Sequence, residues 1–120
     1  MRLLTDAVHG EVCAMPGNTF GYFAWPSVAR LGDGRLAMAC SGFRVGHICP
    51  FGKTVLCFSP DEGRTWGPPQ VITDTPLDDR DAGVVALGGQ GLLVSHFRHP
   101  LTYLTDYELA YPEGERRLID

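Results

Sequence analysis

The residues best suited to chemistry lie in the stretch PLDDRDAG, residues 76–83. Its three carboxylates, Asp78, Asp79 and Asp81, flank the guanidinium of Arg80. Crowding of like charges can raise the pKa of a carboxyl group toward the working range of a general acid. Because Asp81 adjoins the apolar run of a predicted strand, it is the first candidate for an acid–base catalyst, and Asp79 is the second. The alternative is a solvated acidic turn in which Arg80 is the local counter-ion.

Other side chains have the chemistry to bind a ligand. Arg44 and Arg98 could clamp a carboxylate or sugar hydroxyls with paired N–H bonds, or they could brace loops. Trp25 and Phe23 could form a stacking surface for a sugar, or they could pack in the core. Five side chains are therefore predicted to contact a ligand: Arg44, His47, Arg80, Arg98 and Trp25.

Histidine and cysteine raise the question of a metal. His47 with Cys49, and His96 with His99, could supply two halves of a zinc site, but the spacing fits no compact metal motif. We predict no metal and no other cofactor. The cysteines lack C-x-x-C spacing, so reduced thiols are expected. They are Cys13, Cys40, Cys49 and Cys57.

An all-β scaffold is predicted to position these side chains. Fifteen glycines and nine prolines between short apolar runs suit many turns and few long helices. The turn at 32–34, Gly-Asp-Gly, joins two runs into a hairpin. Pro68 and Pro69 cannot donate to a ladder, so the fourth strand should lie at an edge. The four predicted strands cover residues 25–31, 35–41, 54–59 and 65–72.

A repeat appears after the fourth strand. The run VVALGGQGLLVSH, residues 84–96, matches VARLGDGRLAMAC, residues 28–40, at an offset of 56. The matched pairs are Val28/Val84, Leu31/Leu87, Gly32/Gly88 and Leu36/Leu92. Repeated four-stranded antiparallel units are typical of β-propeller blades. We predict roughly one and a half blades: a first blade over 20–72, the start of a second over 81–99, and an irregular tail over 100–120.

The order of the strands predicts where the candidate residues meet. Successive connections in an antiparallel sheet alternate between its two ends, so the turn at 32–34 and the segment 59–66 share one end. The segment before Trp25 and the loops 42–53 and 73–83 collect at the other end, with the loop after His96. That end holds most of the unusual polar residues.

The segment SPDEGRTW reads as a tight corner. Asp61 can accept backbone N–H bonds and Gly63 can take positive φ, while Ser59 and Thr65 can bond neighbouring backbone and Trp66 can anchor on the sheet. The spacing S-x-D-x-G-x-T-W resembles the Asp box, or bacterial neuraminidase repeat, of sialidase-type β-propellers. In that family the box is a folding device between the third and fourth strands of a blade, away from the active site. We interpret it as a corner and not as a catalytic or calcium-binding loop.

A second resemblance lies in YFAWPSVARLGDGRLAMACSG, which looks like the first blade of sialidases. There a Phe/Tyr-Arg-Ile-Pro segment opens the innermost strand, and its Arg binds the substrate carboxylate. Phe23 and Pro26 fit this segment, whereas Ala24 stands at the Arg position and Trp25 at the Ile position. The family's acid–base Asp usually follows the second strand, yet residues 42–53 contain no carboxylate. In the family, the Tyr nucleophile and its Glu partner come from later blades.

The resemblance covers roughly residues 20–99. It implies a sialidase-like glycoside hydrolase that acts on a terminal sugar, or an N-terminal fragment that is inactive alone. The alternative is a non-catalytic carbohydrate-binding or assembly module. Fewer than two blades cannot bury both of their faces, so self-association is expected, for example three chains that each give two blades to a ring.

Charge and hydropathy limit the other partners. A formal net charge of −4 disfavours nucleic acid and anionic membranes, both of which attract basic patches. No run approaches the roughly 18 apolar residues of a membrane helix, and Asp6 interrupts the start before a signal-type core can form. We therefore expect a cytoplasmic chain. The resemblance to sialidases implies that its partner is a carbohydrate.

Overall fold

A computed structural model gives the fold and describes residues 8–89 and 91–100. The described residues form six strands and no helix, so the predicted all-β class is confirmed. All strand pairs are antiparallel, in a four-stranded sheet of order β1-β2-β3-β4 and a two-stranded sheet of β5 and β6. The strands are β1 (Tyr22–Arg30), β2 (Leu36–Arg44), β3 (Lys53–Ser59), β4 (Gln70–Thr73), β5 (Asp78–Ala86) and β6 (Leu92–His99). Across the described ranges, no helix is long and apolar enough to cross a membrane.

The first hairpin forms as predicted. β1 pairs with β2, and the Leu31 N–H donates to the Arg35 carbonyl across the turn at 2.8 Å. Gly34 closes the turn with φ 91°, a conformation that a residue without Cβ adopts without strain. β1 begins at Tyr22, three residues before the predicted start, because its register continues past a bulge at Trp25.

The fourth strand lies at the edge of its sheet, as predicted, but it is shorter than expected. It covers only Gln70–Thr73, and the preceding residues follow no ladder. Pro68 and Pro69 have no N–H to donate, which keeps this segment out of the pairing. The Gly67 N–H instead bonds the Phe58 carbonyl at 2.8 Å.

The core has two parts, one on each face of the first sheet. On one face the buried residues are Met38, Cys40, Val55 and Cys57, packed against Val12, Cys13, Phe23, Phe43 and Trp66. On the other face the buried residues are Ala39, Leu56 and Ala82, bordered by Phe58, Val84, Leu92 and Val94. Small alanines on β2 let the second sheet approach closely. Burial of each large aliphatic side chain contributes about 1.5–3 kcal/mol, so this contact fixes the two sheets together.

The two hairpins repeat each other at the offset of 56. Adding 56 to the bounds of β1 gives the bounds of β5, and β2 and β6 start at equivalent positions. The pair Val28↔Met38 corresponds to Val84↔Val94. Both hairpins also break register at the same place, between Ala24 and Ser27 and between their equivalents 56 residues later. The repeat therefore extends beyond the matched letters to the backbone.

A third boundary, at the start of β5, also differs from the prediction. Residues 73–83 were expected to be a loop, whereas β5 begins at Asp78, and the second hairpin starts three residues before the expected 81. The acidic stretch enters a strand because its first two carboxylates are buried and partnered, not solvated. The predicted irregular tail lies, beyond Pro100, outside the described residues.

Candidate functional site

The structure brings the predicted site residues to one end of the molecule. The loop between β2 and β3, the start of β5 and the end of β6 meet there, as the alternation of connections predicts. The side chains in this cluster are Trp25, Arg44, His47, Asp78, Asp79, Arg80, Asp81, His96 and Arg98. We call this group the polar end.

A buried ion pair forms its base. Arg44, at the end of β2, donates through Nη1 to Asp78 Oδ1 at 2.6 Å and through Nη2 to Asp78 Oδ2 at 2.9 Å. Both side chains are almost wholly shielded from water. Gly52 makes room for the pair, since a Cβ there would lie 2.2 Å from Arg44 Nη1. The pair ties the loop after β2 to the start of β5.

The remaining donors of Arg44 brace the same loop. Its Nε donates to the Gly46 carbonyl at 3.2 Å and Nη2 to the His47 carbonyl at 2.8 Å. A longer contact of 3.4 Å joins Nη1 to the Asp79 carbonyl. All of its N–H groups therefore face protein acceptors. This geometry favours the loop-bracing interpretation of Arg44 over direct contact with a ligand.

Asp79 is also buried, and it organises the segment before β5. Its carboxylate accepts from the Thr75 N–H at 2.8 Å and from the Thr75 hydroxyl at 3.1 Å. Two cationic or titratable groups of β6 lie nearby: Arg98 Nε at 3.4 Å and His96 Nδ1 at 3.8 Å. Within the part of the chain that the structure describes, the buried His96 Nδ1 makes no hydrogen bond. Asp79 thus positions β6 side chains, and it has no surface of its own for a substrate.

Arg80 stands at the centre of the polar end. Its guanidinium carbon lies 4.7 Å from the Trp25 ring centroid and 5.8 Å from that of Phe97, so the cation contacts two aromatic rings. Its Nη2 lies 3.5 Å from His47 Nε2, and its Nη1 lies 3.6 Å from Asp78 Oδ2. Its buried Nε has no hydrogen-bond partner among the described residues.

Asp81 is the accessible carboxylate of the cluster. Its side chain is 42% exposed, and its Oδ1 lies 3.9 Å from Arg80 Nε. The residue sits at the bulge of β5 with φ 53°, and its N–H donates to the Ser41 hydroxyl at 2.9 Å. A carboxylate held by the backbone and open to water can accept from a hydroxyl or exchange a proton with it.

The polar end therefore has a buried base and an exposed rim. The rim consists of Asp81, His47 and Arg98, with Arg80 behind it. It offers one carboxylate, one imidazole and guanidinium donors, which suits a ligand rich in hydroxyl or acidic groups. The Trp25 ring contacts the Arg80 guanidinium and lies perpendicular to the His47 ring, with the two ring centroids 5.0 Å apart. These contacts favour a role in supporting Arg80 over a role as a stacking surface for a ligand.

Sequence reasoning missed three contributors to this cluster: Thr75, Gly52 and Phe97. The offset of 56 could have found one of them. Ala24 pairs with Ser41 across the first hairpin, so the offset predicts that Arg80 pairs with Phe97.

The corner between β3 and β4 lies at the opposite end. Asp61 accepts from the Thr65 N–H at 2.8 Å, and Gly63 has φ 83°, as predicted. Ser59 Oγ accepts from the Gly63 N–H at 2.8 Å. The Thr65 hydroxyl differs from expectation, because it donates to the Asp61 carboxylate at 2.7 Å and not to backbone. Trp66 packs against the first core cluster, so the five residues of the S-x-D-x-G-x-T-W spacing each have a local structural role.

The four cysteines are free thiols, and burial sets how readily two of them ionise. It raises the pKa of Cys40 to about 12 and that of Cys57 to about 11. Within the described ranges, no three His, Cys, Asp or Glu side chains are grouped so as to hold a metal ion. Comparison of the chain with protein-family models, with curated proteins and with solved structures finds no match.

Proposed function

We propose that the chain forms part of a sialidase-like glycoside hydrolase site that acts on a terminal sugar. The observation that carries the proposal is Asp81, an exposed carboxylate fixed at a β-bulge beside the stacked Arg80. The Asp-box corner and the repeated hairpins support the same relationship, with the two sheets as parts of adjacent propeller blades.

Each rim residue has a role in this proposal. Asp81 is the general acid–base catalyst, while Arg98 and His47 hydrogen-bond the sugar. Arg80 lies behind the rim and contributes its positive charge to the site. Trp25 holds Arg80 in place from below.

The proposed chemistry needs a second carboxylate or another nucleophile. Glycosidases generally place two such groups about 5–9.5 Å apart across the scissile bond. Asp79 does not fill this role, because it is buried and bonded to Thr75. The proposed reaction therefore draws its second group from outside the described residues.

A carbohydrate-binding module without turnover is the second candidate. It is favoured by the single accessible carboxylate of the polar end and by Ala24, which leaves the start of β1 without a cation. Both candidates require sugar binding, and only the first requires a proton-transfer role for Asp81.

Binding is tested first, by NMR titration of the chain with acidic and neutral monosaccharides. We expect shifts at the polar end, and we expect Arg98→Ala to weaken binding by about tenfold, the loss of one charge-assisted hydrogen bond. Arg64→Ala is the matched control, since Arg64 is an exposed arginine in the opposite corner. Absence of binding for every sugar contradicts both candidates.

Asp81→Asn then separates the two candidates. In any preparation that hydrolyses an aryl glycoside, this variant should abolish turnover and leave sugar binding within about twofold. Unchanged turnover removes Asp81 from the mechanism and leaves the binding module.

A further inference from the structure

The second hairpin carries an exposed apolar face. Val85, Leu93 and Phe97 lie on one side of the β5–β6 sheet and are 49%, 55% and 47% exposed. Val85 pairs directly with Leu93, and Phe97 lies four residues further along β6 on the same side, beyond Ser95. We call it the outer face. Contiguous apolar surface of this kind marks an interaction site more often than scattered apolar residues do.

The first hairpin shows what the outer face is built to receive. An offset of 56 relates Val85, Leu93 and Phe97 to Ala29, Ala37 and Ser41. Ala37 and Ser41 are fully buried, on the side of the first sheet that the second hairpin covers. Equivalent positions are therefore covered in the first repeat and open in the second.

The covering surface is known as well. The second hairpin covers the first with Ala82 and Val84 of β5. The same offset relates these residues to Pro26 and Val28 of β1, which are exposed, Val28 by 61%. We call Pro26 and Val28 the front face. Among the described residues, one chain thus presents an exposed receiving face and, at Pro26 and Val28, an exposed part of the covering face. The neighbouring Met38 belongs to the buried cluster against which Val12 and Cys13 pack.

We propose that the outer face of one chain binds the front face of a second copy, head to tail. The contact continues the sheet-on-sheet packing that already joins the two hairpins within the chain. Because the two surfaces differ, the interface is heterologous, and repetition of it gives a closed ring or an open filament. This inference rests on the repeat of the backbone and is independent of any glycosidase activity.

Sedimentation velocity of the full chain, from a few micromolar to roughly 200 µM, tests the proposal. The wild-type chain should self-associate as its concentration rises. Leu93→Asp and Val28→Asp should each raise the dissociation constant by at least about tenfold, since each buries a charge at the contact. The control is Val71→Asp, because Val71 is 46% exposed but lies on the edge strand β4. It should leave association unchanged.

Mixing the two variants gives the sharper result. A Leu93→Asp chain keeps its front face and a Val28→Asp chain keeps its outer face, so an equimolar mixture should form a 1:1 dimer and nothing larger. Circular dichroism checks that each variant is folded, and Val85→Ser replaces Leu93→Asp if the latter unfolds.

Three outcomes overturn the proposal: a monomeric wild-type chain at every concentration, equal weakening by Val71→Asp, or a mixture that stays monomeric. If the wild-type chain is monomeric, alkylation of a Leu93→Cys variant identifies the alternative. A protected thiol would show that another segment of the same chain covers the outer face.

Discussion

Trp25 and Asp81 occupy the same position in two repeats of one backbone. Each is the left-handed residue of a β-bulge, with φ 54° and 53°, and they lie 56 residues apart. A bulge re-aims the side chain that it carries. Both side chains point to the polar end, where Trp25 stacks under Arg80 and Asp81 flanks the same guanidinium.

The bulge at Asp81 predicts which substitutions the position tolerates. Asn adopts positive φ readily, so Asp81→Asn should change the free energy of unfolding by less than about 0.5 kcal/mol. Asp81→Val should lower it by about 1–3 kcal/mol, because a β-branched residue is strained there. Urea denaturation measures both. Equal destabilisation by the two variants would mean that the carboxylate, and not the backbone, stabilises the bulge.

The ion pair of Arg44 and Asp78 should be costly to break and cheap to replace. Asp78→Ala leaves a buried guanidinium without its counter-ion and should lower the free energy of unfolding by about 3–5 kcal/mol. The double variant Arg44→Met/Asp78→Leu should recover most of that loss. Asp74→Asn, which removes the exposed partner of Lys53, is the control and should have little effect. If the double variant is no more stable than Asp78→Ala, the ion pair itself contributes to the free energy of unfolding.

The same pair can be disturbed from the opposing loop. Gly52→Ala places a Cβ against Arg44 Nη1 and 2.6 Å from Asp78 Oδ1, so we expect a lower thermal midpoint. Gly10→Ala is the matched control, because no atom lies within 4 Å of the added Cβ. If both variants have the thermal midpoint of the wild-type chain, the loop around residue 52 shifts to accommodate the Cβ at no cost in stability.

The corner should contribute to stability in a pH-dependent way. The Thr65 hydroxyl, followed by its N–H, holds the pKa of Asp61 below its ordinary value of 3.8. A carboxyl group with a lower pKa in the folded chain stabilises it above the unfolded value and loses this effect as pH falls through the folded value. Thermal midpoints of Asp61→Asn should therefore fall less steeply than those of the wild-type chain below about pH 4. Some acid dependence should remain, since the pKa values of Asp33 and Glu62 are lowered as well.

Native-state alkylation should distinguish the cysteines. Because their pKa values are raised to about 12 and about 11, Cys40 and Cys57 stay protonated at pH 8 and should resist iodoacetamide. Cys49 is fully buried and should resist by inaccessibility, which leaves half-buried Cys13 as the first to react. Mass spectrometry before and after denaturation counts the labels. Rapid labelling of Cys57 in the native chain would indicate that the first core cluster opens readily.

Local signals predicted much of this fold. The Gly-Asp-Gly turn, the prolines before β4 and the spacing of the corner each fix a backbone feature, and the structure contains all three. Alternation of connections then placed the polar end. These predictions succeed because they depend on residues close together in sequence.

The start of β5 was missed for the opposite reason. Asp78, Asp79 and Arg80 were placed in a loop, since nothing nearby in sequence shows that Arg44 neutralises Asp78 from 34 residues away. The repeat could have predicted where β5 begins, because the bounds of β1 shifted by 56 residues are the bounds of β5.

The corner between β3 and β4 is a suitable place to attach a label or a solid support. It is closed by its own hydrogen bonds, and it faces away from Arg80 at the other end of the sheet. A dye, a biotin or a solid support coupled at the exposed position 64 leaves the polar end facing the solution. The chain can therefore be immobilised in one orientation for surface-based and single-molecule measurements of sugar binding.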